Sequence, residues 1–87
     1  MNIAVLGGGM VGSLIATELS KNYGVTVFDK HKLDLKNVKT IVKDVTSNDF
    51  KKELLKYDLS INCLPGFMGF QMLETLIELQ LSSVDIS

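Results

Sequence analysis

The sequence predicts an α/β fold: a five-stranded parallel sheet in the order 3-2-1-4-5 with helices on its faces. Three observations lead there. Short apolar runs alternate with stretches of helical period, as they do when parallel strands are joined by crossovers. The first run stops at Gly7-Gly8-Gly9, and a helical stretch opens immediately after. The second run ends on an acidic residue, Asp29.

The elements follow in order. Asn2 to Leu6 is too short for a helix and too apolar for an edge, so it reads as a strand buried on both faces. Met10 to Asn22 has helical period, with Val11, Leu14, Ile15 and Leu19 on one face and Asn22 and Gly24 as its stop. Val25 to Phe28 is β-branched and aromatic, a second strand. Lys30 to Lys39 is polar and basic, and Leu33 and Leu35 support at most one or two helical turns. Thr40 to Lys43 is a third strand. A short helix to about Lys56 follows, capped by Ser47 or Asn48, with Phe50, Leu54 and Tyr57 as its apolar stripe. Leu59 to Leu64 is a fourth strand, closed by Pro65-Gly66. Phe67 to Gln80 returns to helical period through Phe70, Leu73, Ile77 and Leu81, with Met68 and Met72 as core or interface filler. Ser83 to Ile86 is the fifth strand.

Composition narrows the function classes. Eighty-seven residues make one small domain, which buries roughly 60–65% of its unfolded surface. A net charge of −1 is wrong for a protein that binds nucleic-acid backbones, which is usually strongly basic. One cysteine and one histidine build neither a disulfide nor a structural zinc site, so a cytoplasmic setting is expected. Met1 to Thr17 is uncharged, and Gly8 and Gly12 have the spacing of a membrane-helix dimer motif. The stretch is broken by Asn2, Ser13 and glycines, which argues against a membrane span, and no basic start marks a signal peptide.

The glycine turn carries the chemistry. Gly7, Gly9 and Gly12 match G-x-G-x-x-G, a weak pattern alone but here placed between strand and helix with Asp29 ending the next strand. This is the arrangement of Rossmann-like dinucleotide-binding domains. Gly7 permits the tight turn, Gly9 lets a pyrophosphate approach the backbone, and Gly12 lets the helix lie close to the sheet. The N–H groups near Met10 and Val11 sit at the positive end of the helix and face the phosphates. Asp29 is placed to accept from the ribose hydroxyls and to repel a 2′-phosphate, which favours NAD. Lys30, His31 and Lys32 follow at once and could neutralise such a phosphate, which keeps NADP possible; His31 and Lys32 read more simply as a solvated loop. Asp44 either contacts the adenine region or caps a turn. Cys63 either lines the nicotinamide side or is a buried structural thiol.

"IAVLGGGMVGSLIATEL", "VTVFDK", "VKDVTSNDFKKELLKYDLSINCLPGFMGF" and "SVDIS" together resemble the N-terminal part of the saccharopine dehydrogenase family. The N-x-x-P-G-F-x-G-F stretch from Asn62 to Phe70 and the closing V-D-I-S are its more specific segments. The resemblance implies binding of NAD or NADP. It places Gly7, Gly9, Met10, Val11 and Gly12 at the pyrophosphate, Asp29 and Lys30 at the ribose, and Asp44 and Val45 at the adenine region. Cys63, Leu64 and Pro65 would approach the nicotinamide ribose. Family members include saccharopine reductases, lysine dehydrogenases and carboxynorspermidine dehydrogenases, and they act on a carbon–nitrogen bond of amino-acid or polyamine substrates. They carry a downstream domain that holds the substrate and most catalytic side chains. Residues 1–87 are therefore expected to be one dinucleotide-binding unit, truncated after the fifth strand and not catalytic alone. A nucleotide-sensing regulatory domain and a non-binding structural module are the competing readings. An outer fifth strand and an over-apolar last helix predict a homodimer through either element.

Overall fold

The computed structural model describes residues 1–86. Ser87, the last residue of the V-D-I-S segment, lies outside them. The elements are β1 (Asn2–Leu6), α1 (Met10–Leu19), β2 (Gly24–Asp29), β3 (Lys39–Val42), α2 (Phe50–Leu54), β4 (Leu59–Asn62), α3 (Gly66–Glu78) and β5 (Ser83–Asp85). All strands are parallel in the order β3-β2-β1-β4-β5, as the alternation of elements predicts.

The sheet is buried on two faces because its central strand is apolar at every inward position. Successive side chains of a strand point to opposite faces. On β1, Ala4 and Leu6 join Phe28, Phe50, Leu54, Leu64, Met72 and Leu76 beneath α2 and α3. Ile3 and Val5 join Val25, Val27, Val38, Ile61 and Ala16 beneath α1. Phe28 anchors the first cluster, with edge-on contacts to Phe50 at 4.9 Å and Tyr57 at 5.7 Å between ring centres.

Both long helices are rotated relative to the faces expected from their large apolar residues. α1 buries Gly12 and Ala16, with Ile15 and Leu19 partly covered, while Val11 and Leu14 face outward. α3 buries Gly69, Met72 and Leu76, while Phe70 and Ile77 are exposed. On α1 the small residues permit a close approach to the sheet, with no room for a Cβ at Gly12; on α3 the large Met72 and Leu76 take the buried positions, with Gly69 beside them.

The ends of elements also differ. α1 stops at Leu19 rather than Asn22, and Gly24 belongs to β2, paired with Asn2. Lys30 to Val38 contains no helix; it crosses the α1 side as an irregular strap with Leu33, Leu35 and Val38 turned inward and Asn37 at φ +61°. Neither Ser47 nor Asn48 caps α2 through its side chain. Asp49 is the cap residue, and the carbonyls of Ser47 and Asn48 accept from Phe50 and Lys51 in tight turns. β4 ends at Asn62, so Cys63 to Pro65 is the loop into α3, and β5 ends at Asp85. α3 runs from Gly66 to Glu78 instead of Phe67 to Gln80. Gln80 takes φ +56°, and its N–H and that of Leu81 donate to Ile77 and Leu76, which closes the helix by a Schellman motif.

Candidate functional site

In a parallel sheet the loops that follow the strands gather at one edge, and ligands bind where the crossovers diverge to opposite sides. Here that point lies between β1 and β4, whose following helices occupy opposite faces. A cleft of about 510 Å³ opens there, a size usual for small-molecule sites. The candidate cofactor-binding residues line it: Gly7, Gly9 and the start of α1 from Met10 to Gly12, Asp29 at the end of β2 with Lys30 after it, Asp44 and Val45 after β3, and Cys63 to Pro65 after β4, whereas Lys32 does not. Phe28, His31, Lys43 and Met68 line it as well. Met68, expected as core or interface filler, is partly buried against the α3-side core and also forms cleft wall.

The turn is built in steps. Gly7 leaves β1 at φ +90°, a conformation that L side chains rarely adopt, and its N–H still donates to Phe28 at 2.8 Å. Gly12 sits where a Cβ would run into the Gly7 carbonyl oxygen. Gly9 differs: an added Cβ meets nothing within 4 Å and would project into open space. Steric demands within the chain therefore explain Gly7 and Gly12 but not Gly9.

The start of α1 is uncapped by any side chain. Gly9 caps the helix without a side chain, and the first turn holds no acidic residue. The first intrahelical bond is Ser13 N–H to the Gly9 carbonyl at 2.8 Å, so the preceding N–H groups have no carbonyl one turn back. Those donors and the helix dipole together fit a phosphate.

Asp29 is held rigidly. One carboxylate oxygen accepts from the Gly8 N–H at 2.7 Å and the other from the His31 N–H at 2.8 Å. A carboxylate has about four acceptor sites, so each oxygen retains one for a further donor. Gly8 was given no task by the sequence pattern, yet it has two. Its N–H fixes Asp29, and its missing side chain makes room for Leu33 of the strap, whose terminal methyl a Cβ would strike. The Ser13 hydroxyl then donates to the Gly8 carbonyl at 2.6 Å and ties the turn to α1.

On the β3 side, Asp44 serves as a turn cap while its side chain remains at the cleft. Its carboxylate accepts from the Thr46 hydroxyl at 2.5 Å and the Thr46 N–H at 2.9 Å. These two bonds hold its carboxyl below the usual range, with Lys30 adding a smaller effect. On the β4 side, Cys63 is half-buried rather than a fully enclosed core thiol, and burial, with Asp85 nearby, pushes it up and keeps it neutral. Asn62 opens the N-x-x-P-G-F-x-G-F segment, but the sequence assigns its side chain no role. It is fully buried, donates to the Gly69 carbonyl at 2.9 Å and accepts from the Leu64 N–H at 3.3 Å. Its amide thus pins the Cys63–Pro65 loop to α3.

Among the described residues no group of three or more His, Cys, Asp or Glu side chains could hold a metal ion. No helix of these residues is long and apolar enough to cross a membrane.

Comparison with solved structures agrees with this architecture. Saccharopine dehydrogenase (L-Glu forming) from Saccharomyces cerevisiae superposes with a TM-score of 0.75 at 24% identity, covering 99% of this chain and 22% of that one. The AMP-bound Kef C-terminal domain of Shewanella denitrificans gives 0.79 at 18% identity, covering 98% and 57%. A D-isomer specific 2-hydroxyacid dehydrogenase family protein from Klebsiella pneumoniae 342 gives 0.64 at 25% identity, covering 76% and 21%. The chain thus spans from about a fifth to just over half of these structures. A comparison with curated proteins finds no match. Residues 3–87 match the family described as "Saccharopine dehydrogenase NADP binding domain". With its parallel 3-2-1-4-5 sheet and glycine turn, the chain belongs to the saccharopine dehydrogenase NADP binding domain family, a family of NAD(P)-binding Rossmann domains.

Proposed function

We propose that this chain is the cofactor-holding unit of a dehydrogenase that moves a hydride between nicotinamide and a carbon–nitrogen bond of an amino-acid or polyamine substrate. Hydride transfer is the cofactor's chemistry; this unit orients the cofactor and is inactive alone. The observation that carries the reading is the convergence on one cleft of an open Gly9, an uncapped α1 and a fixed Asp29 carboxylate. In it, the first turn of α1 meets the pyrophosphate and the spare acceptor sites of Asp29 meet the ribose hydroxyls. Val45 borders the adenine region, and Cys63 to Pro65 borders the nicotinamide ribose. That last wall is apolar apart from a neutral thiol, which suits a hydride acceptor better than a charged sensing loop would.

NAD is the favoured cofactor. Two backbone N–H groups grip Asp29, so its charge cannot swing away from a 2′-phosphate. Lys30, His31 and Lys43 line the same end and moderate the repulsion. Calorimetric titration with NAD and NADP tests the cofactor reading. NAD should bind more tightly, and Asp29→Asn should lower NAD affinity about tenfold, the worth of a hydrogen bond to a charged group. The same change should narrow the gap to NADP. An unchanged ratio would remove Asp29 as the selector, and no binding of either nucleotide would remove the cofactor reading.

Self-association through α3 and β5 accompanies this reading. Phe67, Phe70 and Ile77 stand out from α3 with 57–72% of their surface exposed, and Val84 lies on the outer strand. A two-fold pair would cover equivalent patches on both copies. Sedimentation across a concentration series should show dimers at high micromolar concentration, with Phe70→Lys or Val84→Lys lowering their fraction. A single monomeric species would sink the idea.

A further inference from the structure

At the end of the strands opposite the cofactor cleft, the α2 side of the sheet is hollow. In-register neighbours in a sheet carry their side chains on the same face. Asn2 pairs with Gly24, and Thr26 pairs with Lys39, so these four positions share the face of Ala4 and Phe28. Phe28 is covered by Phe50 and Tyr57. Towards the strand starts the cover fails, because Gly24 has no side chain and α2 is only five residues long. The turn after α2 brings Lys56 and Tyr57 to the far wall. The result is a concavity of about 420 Å³ bordered by Asn2, Gly24, Thr26, Lys39, Lys56 and Tyr57.

This border holds two ammonium groups, two hydroxyls and an amide, and no carboxylate. Lys39 has no ion-pair partner among the described residues, and the side chains of Asn2, Thr26 and Tyr57 have no hydrogen-bond partner there. Thr26 is the informative member. It is only 8% exposed, a depth at which polar groups are normally partnered. Yet no described side-chain oxygen or nitrogen is both sealed in and unpartnered. The Thr26 hydroxyl therefore opens into the concavity. Lys56 is bonded to Glu53 at 3.0 Å, a surface pair of a kind that contributes little and exchanges readily. Asp58 stays outside the border, its carboxylate taken by the Asn2 N–H at 2.6 Å.

A cationic ligand would meet two like charges there, and a neutral one would leave both uncompensated. An anion meets donors on every side. A carboxylate brings two oxygens and one charge, whereas a phosphate monoester brings three strong acceptor oxygens and a charge of about −2 near neutral pH. We propose that this concavity is an anion site that takes the phosphate group of a small phosphate monoester. Lys39 and Lys56 balance its charge, and the hydroxyls of Thr26 and Tyr57 donate to its oxygens. The five residues of β1, roughly 16 Å of strand, separate it from the glycine turn.

Amide NMR of the chain titrated with glycerol 3-phosphate reads both ends of the sheet at once. Saturable shifts are expected at Gly24 to Thr26, Lys39 and Tyr57, and they should persist in Gly9→Ala, which disfavours phosphate at the start of α1. Thr26→Val keeps the shape and strand preference of the residue. It should weaken binding about tenfold, the worth of one hydrogen bond to a charged group. Lys39→Gln, at an exposed position, should weaken it about two- to fivefold, the range of an exposed ion pair, and flatten its salt dependence. Urea midpoints at or above the parent's should accompany both changes. Succinate and glycerol should each bind more weakly than the phosphate ester. The proposal fails if Gly24 to Thr26 stay unmoved at about 10 mM glycerol 3-phosphate, ten times a millimolar Kd. It fails as well if succinate binds equally, or if either variant binds as the parent does. None of these outcomes touches the cofactor reading, which titration with NAD tests by itself.

Discussion

Replacing Gly12 by alanine is expected to destabilise the protein by about 1–3 kcal/mol, the usual range for forced overpacking. The sign is what makes the substitution informative. In an ordinary helix interior, alanine is better than glycine by about 1 kcal/mol, so propensity alone predicts a gain. Here the added Cβ would meet the carbonyl oxygen of Gly7. That oxygen cannot easily retreat, because the Gly7 N–H is bonded to Phe28 across the sheet and Gly7 is held at φ +90°. Helix α1 must lift away instead, which loosens Ala16 and Ile15 from the cluster around Val5 and Val27. A small domain has only about 5–15 kcal/mol in hand, so the loss would be plain in urea unfolding. A midpoint equal to or above the parent's would show that the close contact is not maintained in solution.

The same contact marks where sequence reading reached and where it stopped. The strands were legible because β1, β2 and β4 are short apolar runs ended by Gly7, Asp29 and the Pro65-Gly66 pair. The order of the sheet followed from alternation with helices. The location of the candidate residues around one cleft was legible too, since strand ends in a parallel sheet share an edge. Helix orientation was not. Period identifies an amphipathic helix, but α1 buries Gly12 and Ala16, whose contribution is their smallness rather than their hydrophobicity, and α3 buries Met72 and Leu76 beside Gly69 rather than Phe70 and Ile77. Reading Val11 and Leu14 on α1, and Phe70 and Ile77 on α3, as the buried face therefore turned both helices from their true seat. Gly8 and Asn62 were missed for a related reason. Their partners, Asp29 and Leu33 for one, Gly69 and Leu64 for the other, are set by tertiary packing and by loop geometry that no local pattern encodes. A buried asparagine just before an x-x-Pro-Gly loop is the one signal that could have suggested its role.

Gly9→Ala should give the opposite result to Gly12→Ala: folding nearly unchanged, cofactor affinity lowered about ten- to a hundredfold. The stability side follows from space and from capping. Nothing lies within 4 Å of an added Cβ, and Gly9 already has φ −62°, which alanine adopts freely. Alanine is a poorer N-cap than glycine, so a loss below about 1 kcal/mol is expected. The binding side follows from the same empty space. A phosphate held by the first N–H groups of α1 must come within hydrogen-bond distance of the backbone, and the methyl group would occupy that approach. Displacing the phosphate stretches or breaks bonds from neutral donors to a charged acceptor, each worth roughly 1.5–3 kcal/mol. One such bond lost is about ten- to a hundredfold in affinity. Paired measurement of urea midpoint and NAD affinity on the two variants separates the roles. Gly12→Ala should shift the midpoint and, because lifting α1 displaces the N–H groups of its first turn, lower affinity as well. Gly9→Ala should shift affinity at an almost constant midpoint. Undiminished NAD binding by Gly9→Ala would mean that the phosphates do not pass over the start of α1, and the placement of the whole cofactor along the cleft would have to be redrawn.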